Sequence, residues 1–209
     1  MRVIFVRVPD HQRGYALVTR ADGVRYRLND GPVTGRIPHD LTHFTVEHAL
    51  GIGDGIWAAI AGGVVFSSMT HVSGRRPPHA AQRSAGLMRA NGDNLNKAEL
   101  IANLVERTEA GESTRELSGY LRGRHGWAVA PGALDVAVGR LRAAAAEWAA
   151  LEPGDELVRV WPAALRLSAP ARGHRGVGPA RGRRGGAPER VAGPASARRG
   201  AGRRSRRVA

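Results

Sequence analysis

Cysteine is absent from this chain of 209 residues. Its absence excludes disulfide bonds, thiolate catalysis and cysteine-ligated zinc, and it suits a reducing compartment. Long apolar segments are absent as well. The longest apolar run, Ile56 to Phe66, is about half as long as a helix that crosses a bilayer. The first ten residues also lack the apolar core of a signal peptide. We therefore expect a cytoplasmic protein with no membrane partner.

Lysine is nearly absent, since Lys97 stands against thirty-one arginines. The arginines are unevenly distributed along the chain. Residues 166–209 hold thirteen arginines and a single acid, Glu189, whereas residues 1–165 carry nineteen basic and seventeen acidic residues. The net charge of +14 is therefore mainly a property of the C-terminal segment, and the rest of the chain is nearly neutral.

The C-terminal segment 166–209 consists mostly of Arg, Gly, Ala and Pro, and we expect it to be disordered because it has almost no large apolar side chain to bury. Two interpretations are open. An arginine-rich segment neutralises phosphates and binds nucleic acid without sequence preference. Alternatively, GC-rich codons specify these four residue types in any frame, and the segment would then be a coding artefact. Nucleic acid is thus an expected partner only through residues 166–209.

Strand-forming residues in the first thirty positions predict three antiparallel strands, and a later segment predicts a fourth that returns to the same sheet. These segments are residues 2–8, 15–20, 24–29 and 155–162. The predicted fold class is α+β, with a small antiparallel sheet of three N-terminal strands and one C-terminal strand, covered by four or five helices.

The predicted domain organisation is simple. Residues 1–165 form one α+β domain, with a linker-like stretch near residues 70–84 that contains Pro77 and Pro78. Apolar spacing predicts helices at about 38–50, 54–61, 96–110, 113–122 and 131–148. Asn96 with Glu99, and Ser113 with Glu116, have the spacing of N-terminal capping pairs.

The first predicted helix carries the densest polar cluster, which comprises His39, Asp40, His43 and Glu47. Positions i and i+4 are neighbours on a helix, so His39 and His43 share one stripe and Glu47 continues it one turn later. Two histidines so placed can reach one ion, as in the HExxH zinc motif. The sequence therefore nominates His39, His43 and Glu47 as metal ligands for a divalent transition metal such as zinc. Asp40 takes the position of the glutamate in that motif but is one methylene shorter.

The pattern His39-Asp40-Leu41-Thr42-His43 resembles the metal motif of the coenzyme Q biosynthesis scaffold family. In that family a glutamate follows twelve residues after the second histidine. This chain has Gly55 at that position, and the resemblance covers these five residues alone. It implies no role for any residue here.

For the same helix we favour a structural interpretation over the metal interpretation. Asp40 can serve the N-terminal amides, and His43 can pair with Glu47 one turn away. On this interpretation the protein has no catalytic residue and no cofactor, and it is a non-catalytic protein that binds a partner protein or a small ligand. The alternatives that stay open are a metal-binding protein or metal-dependent hydrolase centred on the HDLTH helix, and nucleic-acid binding by the C-terminal segment.

Overall fold

The computed structural model describes residues 1–9, 14–29 and 37–168. The described strands are β1 (Arg2–Arg7), β2 (Gly14–Thr19), β3 (Arg25–Asn29), β4 (Met69–Ser73) and β5 (Glu156–Val160). The described helices are α1 (His39–Ala49), α2 (Ile56–Gly62), α3 (Ala80–Glu109), α4 (Arg115–His125) and α5 (Pro131–Ala149), followed by a short 3₁₀ turn, Ala163–Leu165. The strands form one antiparallel sheet in the order β4-β3-β2-β1-β5.

The sheet buries one face under helices, and the alternation of buried apolar and exposed polar residues is clearest in β3, where Tyr26 and Leu28 are buried between exposed neighbours. Val3 and Phe5 of β1 are fully buried, and they lie opposite Val18 and Ala16 of β2. The ring of Phe5 contacts the rings of Phe44 on α1 and Trp57 on α2 edge to face. These contacts seat α1 and α2 on the sheet.

The two ends of the described domain meet, as the sequence predicts. β5 pairs antiparallel with β1, and the main chains of Met1 and Trp161 exchange hydrogen bonds just beyond the paired strands. The α+β fold class with an antiparallel sheet and five helices is confirmed. The expected four strands become five, because β4 adds an edge strand beside β3.

The linker-like stretch near residues 70–84 contains regular structure at both ends. It includes most of β4 and the first turn of α3. Only Met69 of β4 is buried, so this edge strand lacks the apolar alternation that identifies a half-buried strand.

Helix α3 begins sixteen residues earlier than the capping pair at Asn96 indicates, and that prediction of its start is wrong. Polar anchors hold its first half in place. Ser84 Oγ lies 2.9 Å from the Val65 amide nitrogen, whose hydrogen it accepts, and Asn91 Nδ2 donates to the Asp54 carbonyl at 2.8 Å. The later helix α4 has Thr114, not Ser113, at its N-cap position.

Helix α1 is buried on two sides, which decides the surroundings of its polar residues. It packs against α2, α3 and α5. Leu41, Phe44 and Val46 are buried, and so are the intervening His43 and Glu47. The packing thus removes one histidine and one carboxylate of the predicted cluster from solvent.

The predicted disorder of the C-terminal segment concerns residues that, apart from 166–168, lie outside the described part of the chain. The ordered contacts continue to Leu167, whose amide donates to the Ala58 carbonyl at 3.0 Å. Among the helices that the structure describes, none has the length and apolar character that a bilayer crossing requires.

Candidate metal centre

His39 and His43 lie one turn apart at the start of α1, and their rings are in contact. The ring centroids are 4.5 Å apart with an interplanar angle of 72°. The two side chains differ in exposure, at 46% for His39 and 1% for His43. The helix thus offers one fixed, buried imidazole beside one that can adjust.

Glu99 of α3 faces both histidines across the helix–helix interface. Its Oε2 atom is 3.1 Å from His43 Nε2 and 3.7 Å from His39 Nε2. One potential ligand atom from each of these three residues lies within 4.8 Å of the other two. Two imidazole nitrogens and one carboxylate oxygen therefore form a compact cluster.

Glu47 lies on the other side of His43. Its Oε1 atom is 3.4 Å from His43 Nδ1, while Nε2 of the same ring faces Glu99. The Glu47 carboxylate also accepts hydrogen bonds from the amides of Ile56 and Trp57 at 3.1 and 3.0 Å. The structure brings the nominated residues His39 and His43 together with Glu99, and it places Glu47 behind His43.

Asp40, the remaining polar residue of the predicted cluster, contacts α2 through its main chain. Its carbonyl accepts a hydrogen bond from Trp57 Nε1 at 3.0 Å, which ties α2 to the first turn of α1. Asp54 and His71, two other residues with side chains that can ligate metals, lie outside this cluster. Asp54 forms an ion pair with Lys97 at 3.0 Å, and His71 on β4 donates from Nε2 to the Gly74 carbonyl at 2.9 Å.

Sequence reasoning assigned Glu99 to a helix cap and did not nominate it as a ligand. The signal that could identify it is its position on α3, where Glu99 and Glu106 are two helical turns apart on one side. Both face α1, since Glu106 Oε1 accepts a hydrogen bond from Thr42 Oγ1 at 3.3 Å. That relation depends on knowing that α3 packs on α1.

The electrostatics of the cluster are dominated by the two carboxylates around His43. Burial alone would lower the pKa of His43, but its hydrogen bonds to Glu47 and Glu99 raise that pKa to about 9. The hydrogen bond with His43 lowers the pKa of Glu99 in spite of its partial burial. Burial raises the pKa of Glu47 against the hydrogen bonds that it accepts. Without a metal, a protonated His43 can donate to both carboxylates.

The donor set suits a first-row transition metal. Zinc binds imidazole nitrogen and carboxylate oxygen at about 2.0–2.2 Å, so tetrahedral ligands lie about 3.3–3.6 Å apart. The two separations from Glu99, 3.1 and 3.7 Å, are close to that range. His39 and Glu99 are each about half exposed, so neither side chain is fixed by full burial.

A cleft of about 660 Å³ runs along the same helices. It is lined by Thr42, the neighbour of His43, and by Asn103, one turn from Glu99. Clefts of this size accommodate small molecules. None of His39, His43 and Glu99 lines this cleft.

Comparisons with known proteins add no identification. No protein-family model matches the chain, and no curated protein or solved structure is significantly similar to it.

Proposed function

We propose that this protein binds a divalent transition metal, zinc in the first instance, through His39, His43 and Glu99. The observation that carries the proposal is the approach of Glu99 Oε2 to the Nε2 atoms of both histidines. Helical spacing alone accounts for two adjacent imidazoles. A carboxylate from a different helix, aimed at the same point, is the additional feature that a metal site requires.

The proposed ligand set consists of three protein side chains. Zinc sites with three protein ligands keep a coordination position for water or a small molecule, whereas structural zinc sites have four protein ligands. The proposal therefore favours a metal centre that binds a ligand or activates water, in keeping with the metal-dependent alternative raised by the HDLTH helix.

The experiment is a titration of the untagged, metal-stripped full chain with Co²⁺, followed by visible absorption. The wild-type protein should bind about one Co²⁺ per chain, and zinc should displace it. His43→Ala and Glu99→Gln should abolish tight binding. His48→Ala is the matched control, because His48 is an exposed histidine on the same helix outside the cluster. Absence of stoichiometric binding by the wild type, or equal binding by His43→Ala, would overturn the proposal.

A further inference from the structure

Glu47 is a fully buried carboxylate that joins two parts of the fold. Its relative exposure is 0%. On one side its Oε1 atom meets His43 Nδ1 at 3.4 Å. On the other side its two oxygens accept the amide hydrogens of Ile56 and Trp57, the first two residues of α2. Every one of these contacts depends on the position of one carboxylate.

Gly55 provides the space that this carboxylate occupies. A Cβ atom at residue 55 would lie 2.5 Å from Glu47 Oε2 and 2.6 Å from Glu47 Cδ. Cβ atoms in proteins essentially never lie closer than 3.0 Å to an unbonded heavy atom. A side chain at residue 55 would therefore displace the carboxylate, and the displacement would break the hydrogen bonds to His43, Ile56 and Trp57.

The position of the carboxylate decides which nitrogen of His43 is available. A neutral imidazole that ligates a metal through Nε2 carries its proton on Nδ1, and a carboxylate on Nδ1 fixes this tautomer and the ring orientation. Glu47 is the carboxylate at Nδ1, and Nε2 points to Glu99 and His39. Metal-bound histidines commonly have this arrangement, with a carboxylate at one ring nitrogen and the metal at the other.

We infer that Glu47 is the positioning residue of the metal centre and that Gly55 is required for that role, although neither residue contacts the metal. The inference rests on the proposed function, since it concerns the affinity of that same site. It also links the site to α2, because the carboxylate that orients His43 is the group that accepts the first two amides of that helix. Metal binding and the start of α2 are then coupled through one side chain.

The variants Glu47→Gln and Gly55→Ala test the inference in the full-length chain. In Glu47→Gln, a hydrogen-bond donor replaces one carboxylate oxygen. At the Oε2 position it removes the acceptor of the Trp57 amide, and at the Oε1 position it removes the acceptor of both His43 Nδ1 and the Ile56 amide. Both variants should bind Co²⁺ about 10- to 100-fold more weakly than the wild type, which is the usual effect of losing an outer carboxylate. The Co²⁺ absorption spectrum should also change, and a purely structural role would not alter it.

Gly53→Ala is the matched control. It lies in the same loop, and a Cβ there meets only ordinary contact, with Leu165 Cα at 3.9 Å. It should bind Co²⁺ with wild-type affinity and give the wild-type spectrum. Weakened binding by Gly53→Ala equal to that of Gly55→Ala would overturn the inference, because general disturbance of the loop would then explain both.

A measurement on the wild-type protein covers the case in which a variant fails to fold. Zinc added to the ¹⁵N-labelled, metal-free chain should shift the amide resonances of Ile56 and Trp57 and leave those of β3 and α4 unchanged. Unchanged Ile56 and Trp57 resonances at saturating zinc would overturn the inference. The inference would also be overturned if Glu99→Gln abolished Co²⁺ binding while Glu47→Gln and Gly55→Ala bound Co²⁺ as tightly as the wild type. Failure of the wild type to bind metal overturns the proposed function itself.

Discussion

The Nε2 atom of His43 lies 3.1 Å from the Oε2 atom of Glu99, although the two residues are fifty-six positions apart in the chain. The contact places a buried imidazole between carboxylates from two helices, with Glu47 at its other nitrogen. This relationship determines how the metal-free protein responds to pH and how the site is assembled.

The first prediction concerns the pH dependence of stability in the metal-free protein. The pKa of His43 is raised to about 9 in the folded state, above about 6.5 in the unfolded chain. Its contribution is therefore fully present below about pH 6.5 and is lost as the pH rises through 9. The loss is at most about 3 kcal/mol. Urea unfolding in EDTA at pH 6.5 and 9.5 measures it.

The control for that measurement is Glu99→Gln, which removes one of the two carboxylates beside His43. The ionisable groups that face His43 are Glu47 and His39 on its own helix and Glu99 on α3. The variant should lose less stability than the wild type between the two pH values. An equal loss in both proteins would mean that the pairing of His43 with Glu99 does not contribute.

The second prediction concerns the aromatic core that seats α1 and α2 on the sheet. Phe5 is fully buried and its ring contacts Phe44 and Trp57. Phe5→Ala should lower the free energy of unfolding by about 3–5 kcal/mol, because it leaves a cavity as well as losing apolar burial. Val160 is 65% exposed on β5, and Val160→Ala should change the free energy by less than about 0.5 kcal/mol. Chemical denaturation of both variants tests the comparison.

The third prediction contrasts two glycines. Gly74 follows β4 with φ +87°, and a Cβ there would lie 2.6 Å from the Gly23 carbonyl oxygen and 2.8 Å from Val24 Cα. Both atoms are backbone, so Gly74→Ala should destabilise the fold by more than about 1 kcal/mol. Gly86 lies within α3 with open space around its Cβ position. Gly86→Ala should stabilise by about 0.5–1 kcal/mol. Thermal unfolding of the two variants measures the change in Tm. Equal changes of the same sign would refute the prediction.

The fourth prediction concerns Arg20, whose side chain is only 4% exposed. Its Nη2 and Nε atoms donate to Asp22 at 2.6 and 3.2 Å. Asp22→Ala leaves the guanidinium buried without this partner and should cost about 1–3 kcal/mol. Asp135→Ala, at an exposed site on α5, should stay within about 0.5 kcal/mol of the wild type. If Asp22→Ala lowered the free energy of unfolding no more than Asp135→Ala, the ion pair between Arg20 and Asp22 would not stabilise the fold.

The parts of the fold that the sequence predicts are those with a strong local signal. β1, β2 and β3 have β-branched or alternating apolar residues, and Pro131 begins α5 at the predicted residue. The first half of α3 gives no such signal, because its anchors are Ser84 and Asn91, which bond to the main chain of distant loops. A search for apolar residues at helical spacing cannot detect a helix segment that is held in place by polar side chains.

The residues of the candidate site also fall into two groups, those that the sequence predicts and those that only the packing of the helices reveals. His39 and His43 follow from the i, i+4 rule alone, and the structure brings them together. Glu99 can be identified as a ligand only when the packing of α3 on α1 is known, and no local pattern in the sequence predicts that packing. Glu47 shares the helical stripe of the histidines, but the start of α2 holds its carboxylate at Nδ1 of His43. Spacing along one helix identifies neighbours and does not decide which side of a ring they occupy.

The most direct measurement is a crystal structure of the zinc-loaded protein with anomalous data collected at the zinc edge. The account predicts one strong peak at about 2.0–2.2 Å from His39 Nε2, His43 Nε2 and a carboxylate oxygen of Glu99, with Glu47 still at His43 Nδ1. A zinc-saturated crystal in which Glu99 remains hydrogen-bonded to His43, with the anomalous peak elsewhere or absent, would contradict it.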